Sequence, residues 1–457
     1  MNDTNKLRTE NSFIEGKILP ALLKFSVPVF IALFLQAMYS AVDLMVVGKF
    51  GSSSGVSAVG TGGGIIFLAT AVVNGLSVGA TVLIGHKIGE GNPEEAGKVI
   101  GSAVIVFSAT GALLTAVMLG LANPIARIMQ APDEAFNQTV QYVSVCACGI
   151  IFTTGYNIIG GIFRGLGNSR LPMFFAVIAC ICNILGDLLF VAVLKLDVVG
   201  AALATILAQA VSVVLSVVII SRIPLPFCFK KSYISLKSGY CRQILRIGMP
   251  VALQDTLVEF SFLAVNAFIN GIGLDQSAGY GIANRVIAFI MLVPSAVMTG
   301  VTAFVAQNIG AGNKQRAKRV MFTAVKAGTV GGVILFAVGF FFGGQVASLF
   351  SNDEAAIAQA SYFLKGFAPD CILTCTLFSF IGYFSGCKNT KAVMIQGVTS
   401  SFLIRLPLAY LFSSAPNPQM WKIATATPIS TIYGIAFCVI YWFIRKRNEK
   451  IKQEAHT

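Results

Sequence analysis

The sequence predicts an all-α membrane protein of about twelve transmembrane helices, in two six-helix halves related by a pseudo-two-fold axis along the membrane normal. Three observations carry that prediction. Of the 457 residues, 56% are hydrophobic and only 11% charged, and the mean hydropathy is +0.79; a soluble domain carries about 25% charged residues. Apolar stretches close to the ~20 residues that cross a bilayer recur along the whole chain. Finally, GATVLIGHKIGEGNPEEAGK at 79–98 returns as GVTAFVAQNIGAGNKQRAKR at 300–319, 221 residues later.

The first span, 25–48, contains Pro28, then Gln36, Tyr39 and Asp43 at a spacing that puts the last three on one helix face. The second, 58–85, runs into the turn Gly89–Asn92. The third covers 99–121. The fourth, 138–162, carries Tyr156 and Asn157 in an apolar setting. The fifth, 172–194, holds Asn183 and Asp187 near its middle, four residues apart and so on one face. The sixth, 198–221, completes the first half. A basic, Pro-containing stretch, Arg222–Arg246, follows as a cytoplasmic linker, which divides the chain into 1–222, 223–245 and 246–457. The seventh span, 246–270, contains Pro250, Asp255 and Glu259; the eighth, 280–307, ends at Gly310–Asn313. The ninth covers 321–343. The tenth, 357–384, carries Asp370, the eleventh, 392–413, carries Arg405, and the twelfth covers 422–444.

The repeat register holds over many elements. Gly89, Gly91 and Asn92 return as Gly310, Gly312 and Asn313, and Gly165 and Asn168 as Gly386 and Asn389; in the first helices Pro28 falls on Pro250 with an offset of 222. Six helices per half is an even number, so both halves insert in the same orientation, with a cavity expected between them. An offset of 221 also makes Arg405 the counterpart of Ile184, and Leu408 that of Asp187. The glycine turns have no preceding strand and no GK[ST], so they read as tight turns rather than nucleotide loops.

The net charge of +14 suggests nucleic acid, but its distribution speaks for a membrane: 26 of the 33 Lys and Arg, among them Lys6, Arg8, Lys230, Lys231, Lys237, Lys314, Lys450 and Lys452, fall on one side. The positive-inside rule makes that side cytoplasmic, with both termini there. The ten Cys fall mostly in apolar runs without zinc-site spacing, which marks them as packing groups. The polar N-terminus has no apolar core ahead of Phe25, so no cleaved signal peptide is expected.

A carboxylate at mid-membrane depth costs roughly 2.5–3.5 kcal/mol on insertion scales, so Asp187 reads as a proton or cation site. A structural hydrogen bond to a neighbouring helix is the alternative for Asp187 and for Asp43. Asp255 and Glu259 share a face; they either meet a cationic substrate or pair with Arg285 or Arg405. Met38, Met173, Met291 and Met298 are candidates for an adaptable apolar lining. His86 stands where Gln307 stands in the repeat and reads as a polar helix end.

The paired halves, Pro28 and Asp43 in the first helix, the GxGN turns after helices two and eight, and Asn183 with Asp187 in helix five resemble the multidrug and toxic compound extrusion (MATE) family, in its DinF-like branch. That resemblance implies a multi-pass transporter of the cell membrane, bacterial plasma membrane included, that exports organic, mostly cationic amphiphilic compounds in exchange for protons or sodium ions. It implies a cation site at Asp43, Asn183 and Asp187. A substrate cavity would draw on Gln36, Tyr39, Tyr156, Asn157, Asp255, Glu259 and Asp370. No catalytic residue and no cofactor beyond the coupling ion are expected, and the transporter is expected to act as a monomer. Flipping of lipid-linked sugars is the alternative function; it calls for a strongly basic cavity, whereas the helix centres here carry acids. Reporters fused to either terminus, or inserted in 222–246, are expected to read cytoplasm; a terminus reporting the outside would overturn the twelve-helix reading.

Overall fold

The computed structural model describes residues 13–222, 226–227 and 229–454; Lys6 and Arg8 lie outside them, as do the side chains of Lys237, Lys450 and Lys452. Among the described residues, twelve helices are long and apolar enough to cross a membrane: α1 (Ile18–Phe50), α2 (Ser53–Gly89), α3 (Pro93–Ile128), α4 (Asp133–Gly165), α5 (Arg170–Val193), α6 (Asp197–Arg222), α7 (Tyr240–Asn270), α8 (Leu274–Gly310), α9 (Lys314–Phe341), α10 (Glu354–Gly386), α11 (Thr390–Ser413) and α12 (Met420–Asn448). The chain is a multi-pass membrane protein of all-α class.

Each helix begins before the apolar stretch that marks it in the sequence, and polar caps start several of them. Ser52 accepts the Gly55 amide at 2.9 Å to start α2. Pro93 opens α3, where its missing N–H costs nothing. Asp353 accepts the amides of Ala355 and Ala356 at 2.9 and 3.3 Å to start α10. α8 is interrupted at Met291, between Leu274–Ile290 and Leu292–Gly310. Pro294 explains the break, since it has no amide to give the carbonyl of residue 290.

The described chain forms two compact units. The first comprises Met1–Gly16, Leu23–Ala252 and Ala306–Asn313; the second comprises Lys17–Leu22, Leu253–Val305 and Lys314–Thr457. The boundary falls inside α7 rather than in the stretch that reads as a linker, because that stretch is laid onto α3. Its 3-10 turns, Lys231–Tyr233 and Leu236–Ser238, bring the Tyr233 carbonyl to 2.2 Å from where a Cβ on Gly101 would stand. Ser238 and Ser102 share a hydrogen bond of 2.7 Å, and the Tyr240 hydroxyl donates to Glu95.

The repeat is visible in the backbone. Gly91 and Gly312, in the two GxGN turns, both have φ of +75°, and Gly167 and Lys388 occupy repeat-related positions at +87° and +63°. Within the first unit, α2 meets the end of α8 through these repeated segments. A Cβ on Gly89 would stand 2.0 Å from the Gln307 carbonyl oxygen, and one on Gly310 would stand 2.2 Å from that of His86. This crossing buries His86 to 5% exposure, so it is enclosed rather than a solvated helix end.

At the opposite end of the first unit, Asp197 ties three elements together. Its Oδ2 accepts the Ser52 hydroxyl at 2.7 Å and the Gln138 amide at 3.0 Å, and its Oδ1 accepts the Ser52 backbone amide at 3.4 Å. The carboxylate thus sits over the N-terminus of α2, where its charge is favoured by the helix dipole. Asp197→Ala is expected to lower unfolding stability by about 1.5–3 kcal/mol, the usual value of hydrogen bonds to a charged group. Gly89→Ala should cost about 1–3 kcal/mol through overpacking, whereas Gly64→Ala, which meets open space, should gain up to ~1 kcal/mol in helix propensity. Thermal unfolding of the purified protein in detergent ranks the three; equal midpoints for the two glycine variants would contradict the close crossing.

Candidate cation site

Small residues bring α5 and α6 together at the depth of Asp187. A Cβ on Gly186 would stand 3.0 Å from the Ala204 Cβ, and one on Gly200 would stand 3.0 Å from the Phe190 backbone. Backbones that approach this closely set polar side chains of the two helices face to face. At Asp187 the α-helical part of α5 ends and a π-helical turn, Leu188–Val193, begins; such turns recur at functional sites because they re-aim the side chains beside them.

Asp43 from α1, Asn183 and Asp187 from α5, and Thr205 from α6 converge there. Asp43 is 6% exposed, Asn183 1% and Asp187 0%. The Asn183 amide donates to Thr205 Oγ1 at 3.3 Å, and the Thr205 hydroxyl donates to Asp43 Oδ2 at 3.3 Å. The carboxyls of Asp43 and Asp187 lie within hydrogen-bonding reach of each other, and Asn183 reaches Asp43 as well.

Donors are too few for this cluster. Asp43 Oδ1, Asn183 Oδ1 and both carboxyl oxygens of Asp187 are buried without a donor. Among the described residues neither carboxyl forms an ion pair. Two such charges about 4 Å apart repel by roughly 4 kcal/mol at an effective dielectric of about 20. The group therefore suits either a proton shared between the acids or a hard monovalent cation held by oxygen ligands.

The neighbouring candidates divide. Gln36 donates to the Tyr156 hydroxyl at 3.1 Å, and Tyr39 lies among Tyr156, Asp43 and Gln209. The Asn157 amide instead bonds the Thr153 carbonyl of its own helix at 2.9 Å, while its backbone carbonyl accepts the Ser77 hydroxyl at 3.0 Å. Sequence reasoning missed Thr205 and Gln209, which lie one turn apart on α6, and Thr153, which hydrogen-bonds Gln209. Their helical spacing was the available signal.

Asp255, Glu259 and Asp370 belong to the second unit. Asp255 and Glu259 are half-buried and, among the described residues, form no ion pair with Arg285, which is exposed, or with Arg405. Arg405 donates instead to the Ser261 hydroxyl at 3.0 Å, and its guanidinium lies 4.2 Å from the centre of the Phe262 ring. Asp370 is 3% exposed and accepts the Thr374 hydroxyl at 2.7 Å. α11 contains its own π-helical turn, Ser400–Arg405. It corrects the repeat register, because a π turn takes up one extra residue. From the last residue of that turn onward the offset is 222, so buried Asn183 corresponds to buried Arg405, and buried Asp187 to buried Ala409. The pairs read from an offset of 221, Ile184 with Arg405 and Asp187 with Leu408, each join a buried residue to a half-buried one.

The MatE family model matches the chain twice, over residues 28–189 and 250–411. The chain is 25% identical over 452 residues to the "Probable multidrug resistance protein YoeA" of Bacillus subtilis (strain 168), covering 93% of this chain and 94% of that protein. It is 24% identical over 431 residues to the "Multidrug export protein MepA" of Staphylococcus haemolyticus (strain JCSC1435), covering 94% of each. Its fold is shared with a solved structure of MATE in complex with MaL6, at a TM-score of 0.88 and 22% identity over 96% of this chain and 98% of that one. Both matched segments begin at the paired prolines Pro28 and Pro250, and the chain belongs to the MatE family, a family of membrane transporters and not of enzymes.

Proposed function

We propose that this chain is a multidrug efflux antiporter that exports organic, mostly cationic amphiphilic compounds by alternating access, driven by protons or sodium ions. The names of its relatives, which speak of multidrug resistance and export, support efflux over the flipping of lipid-linked sugars. One observation carries the coupling: two enclosed carboxyls face each other with four donor-less oxygens in the group, in a setting that does not tolerate both charges bare. A conformation that encloses Asp43 and Asp187 is favoured when a cation or proton joins them. The opposite conformation, in which a cationic substrate takes the charge, is favoured when the cation leaves. A ligand shifts such an equilibrium only by its differential affinity for the two states.

The membrane potential contributes about 2.3 kcal/mol per charge per 100 mV to inward movement of the cation. Gln36, Tyr39 and Tyr156 offer hydroxyl, amide and aromatic groups beside the acids and suit an aromatic cation. The protein works as a monomer in the bacterial plasma membrane with both termini in the cytoplasm; the basic segments support that orientation.

Asp187→Asn keeps the shape of the side chain and is cheaper to bury, so insertion should be unaffected. Gradient-driven dye efflux in proteoliposomes, normalised to inserted protein, should drop about tenfold or more, since each ~1.4 kcal/mol of lost differential binding is a factor of ten. Undiminished efflux would remove Asp187 as the coupling group. Thr205→Val breaks only the relay between Asn183 and Asp43 and should slow efflux roughly two- to tenfold, in keeping with about 0.5–1.5 kcal/mol for one hydrogen bond. A Thr205→Val protein as inactive as Asp187→Asn would make the hydroxyl itself a ligand rather than a tuning group.

A further inference from the structure

The second unit contains a small cavity of about 10 Å³, room for one water, whose walls include Val265, Arg405, Ala409 and Thr427. These four residues are the repeat counterparts of the cation site. The two matched segments of the chain begin 222 residues apart and end 222 residues apart. That offset carries Asp43 to Val265, Asn183 to Arg405 and Asp187 to Ala409. It also holds for α6 and α12: buried Ala208, Ser212 and Ser216 return as buried Ser430, Gly434 and Cys438, so Thr205 corresponds to Thr427.

The second half has thus kept the place but changed its chemistry. Both acids are replaced by apolar residues, the hydroxyl is kept, and the amide is replaced by a guanidinium. Arg405 is 8% exposed and its Nε has no hydrogen-bond partner. Its Nη1 is fixed by Ser261, whose own hydroxyl proton goes to the Val258 carbonyl at 2.7 Å, and its plane lies on Phe262. Tyr280 lines the same cavity, and Asp370 and Glu259 are the acids whose charge acts on the guanidinium, although among the described residues neither forms an ion pair with it. Asp370 Oδ1 is likewise without a donor.

We propose that Arg405 is a tethered cation that permanently fills, in the second half, the position at which the first half exchanges its coupling ion. The proposal rests on the cation-site reading of Asp43 and Asp187, and it limits each chain to one exchangeable ion. A buried charge of fixed sign, held by side chains of its own unit, cannot leave during the cycle. The second unit then stays in one electrostatic state while the first is loaded and unloaded.

The test restores the lost residues in a protein whose first-half site is disabled by Asp187→Asn, so that its outcome does not depend on whether Asp187 couples transport. Thermal unfolding of the purified full-length chain is compared in sodium chloride and in choline chloride, at mildly alkaline and mildly acidic pH. With Ala409→Asp alone, Arg405 neutralises the new carboxylate and the midpoint should respond to sodium and to acid no more than that of the Asp187→Asn protein without it. With Ala409→Asp and Arg405→Asn together, the site again consists of Asn and Asp, and sodium or acid should raise the midpoint by several degrees. Equal responses of the two proteins, or a folded double variant that responds to neither, would overturn the proposal. If the double variant does not fold, Ala409→Asp is compared with Ala409→Asn. The tethered guanidinium should hold the acid variant at least as stable as the amide variant, and an acid variant that unfolds where the amide variant folds would refute it.

Discussion

The site depends on one electrostatic constraint: two carboxyls enclosed in the membrane cannot both remain charged without a cation between them. Asp43 and Asp187 come from helices far apart in sequence, yet they lie within hydrogen-bonding reach of each other. Thr205 supplies one hydrogen bond, to Asp43, and the remaining oxygens have none. A purely structural acid would be expected to have its lone pairs satisfied by neighbouring donors, as Asp197 has at the end of the same unit. The two acids show the contrast within a single protein. Asp197 accepts hydroxyl and amide donors and caps a helix, whereas Asp187 has both oxygens bare.

Close packing makes this possible. Helices in lipid gain little from burying apolar side chains against one another, so they associate where small residues allow backbones to touch. Gly186 and Ala204 provide that contact one residue before Asp187 and one before Thr205. The result is a short, stiff path from Asn183 through the Thr205 hydroxyl to Asp43. The crossing of α2 with the end of α8, through Gly89 and Gly310, uses the same device elsewhere in the first unit. In both places the glycine is required by the neighbouring backbone or side chain, not by its own dihedral angles.

Much of this was legible in the sequence, for definable reasons. The twelve spans follow from length and hydropathy, and the repeat from a register that brings glycines and asparagines back together. Asp43, Asn183 and Asp187 stand out because acids are rare at membrane depth. Thr205 and Gln209 do not stand out, since hydroxyl and amide side chains are tolerated in membrane helices and can bond their own backbone, as Thr70, Thr139 and Asn157 do here. The π-helical turn of α11 was also invisible, because nothing in SSFLIR distinguishes it from ordinary helix. Its one-residue register change was enough to hide the correspondence of Arg405 with Asn183. The stretch before α7 looked like a free linker because it is basic and polar; its packing depends on Gly101 of α3 admitting the Tyr233 carbonyl.

The register matters because a duplicated fold places equivalent backbones at equivalent depths without requiring equivalent charges. Two intact sites would bind two cations, and each would add its own charge to the movement across the membrane potential, at about 2.3 kcal/mol per 100 mV apiece. Val265 and Ala409 stand at the repeat positions of Asp43 and Asp187 and carry no charge, and Arg405, at the repeat position of Asn183, is a positive group. That guanidinium would be costly if nothing balanced it. Asp370 on α10 and Glu259 on α7, whose first-half counterparts are the uncharged Gly149 and Ala37, are the acids of the same unit whose charge acts on it. The halves share a backbone plan, and their chemistry has diverged: two enclosed acids with an amide in the first, a guanidinium between apolar residues in the second.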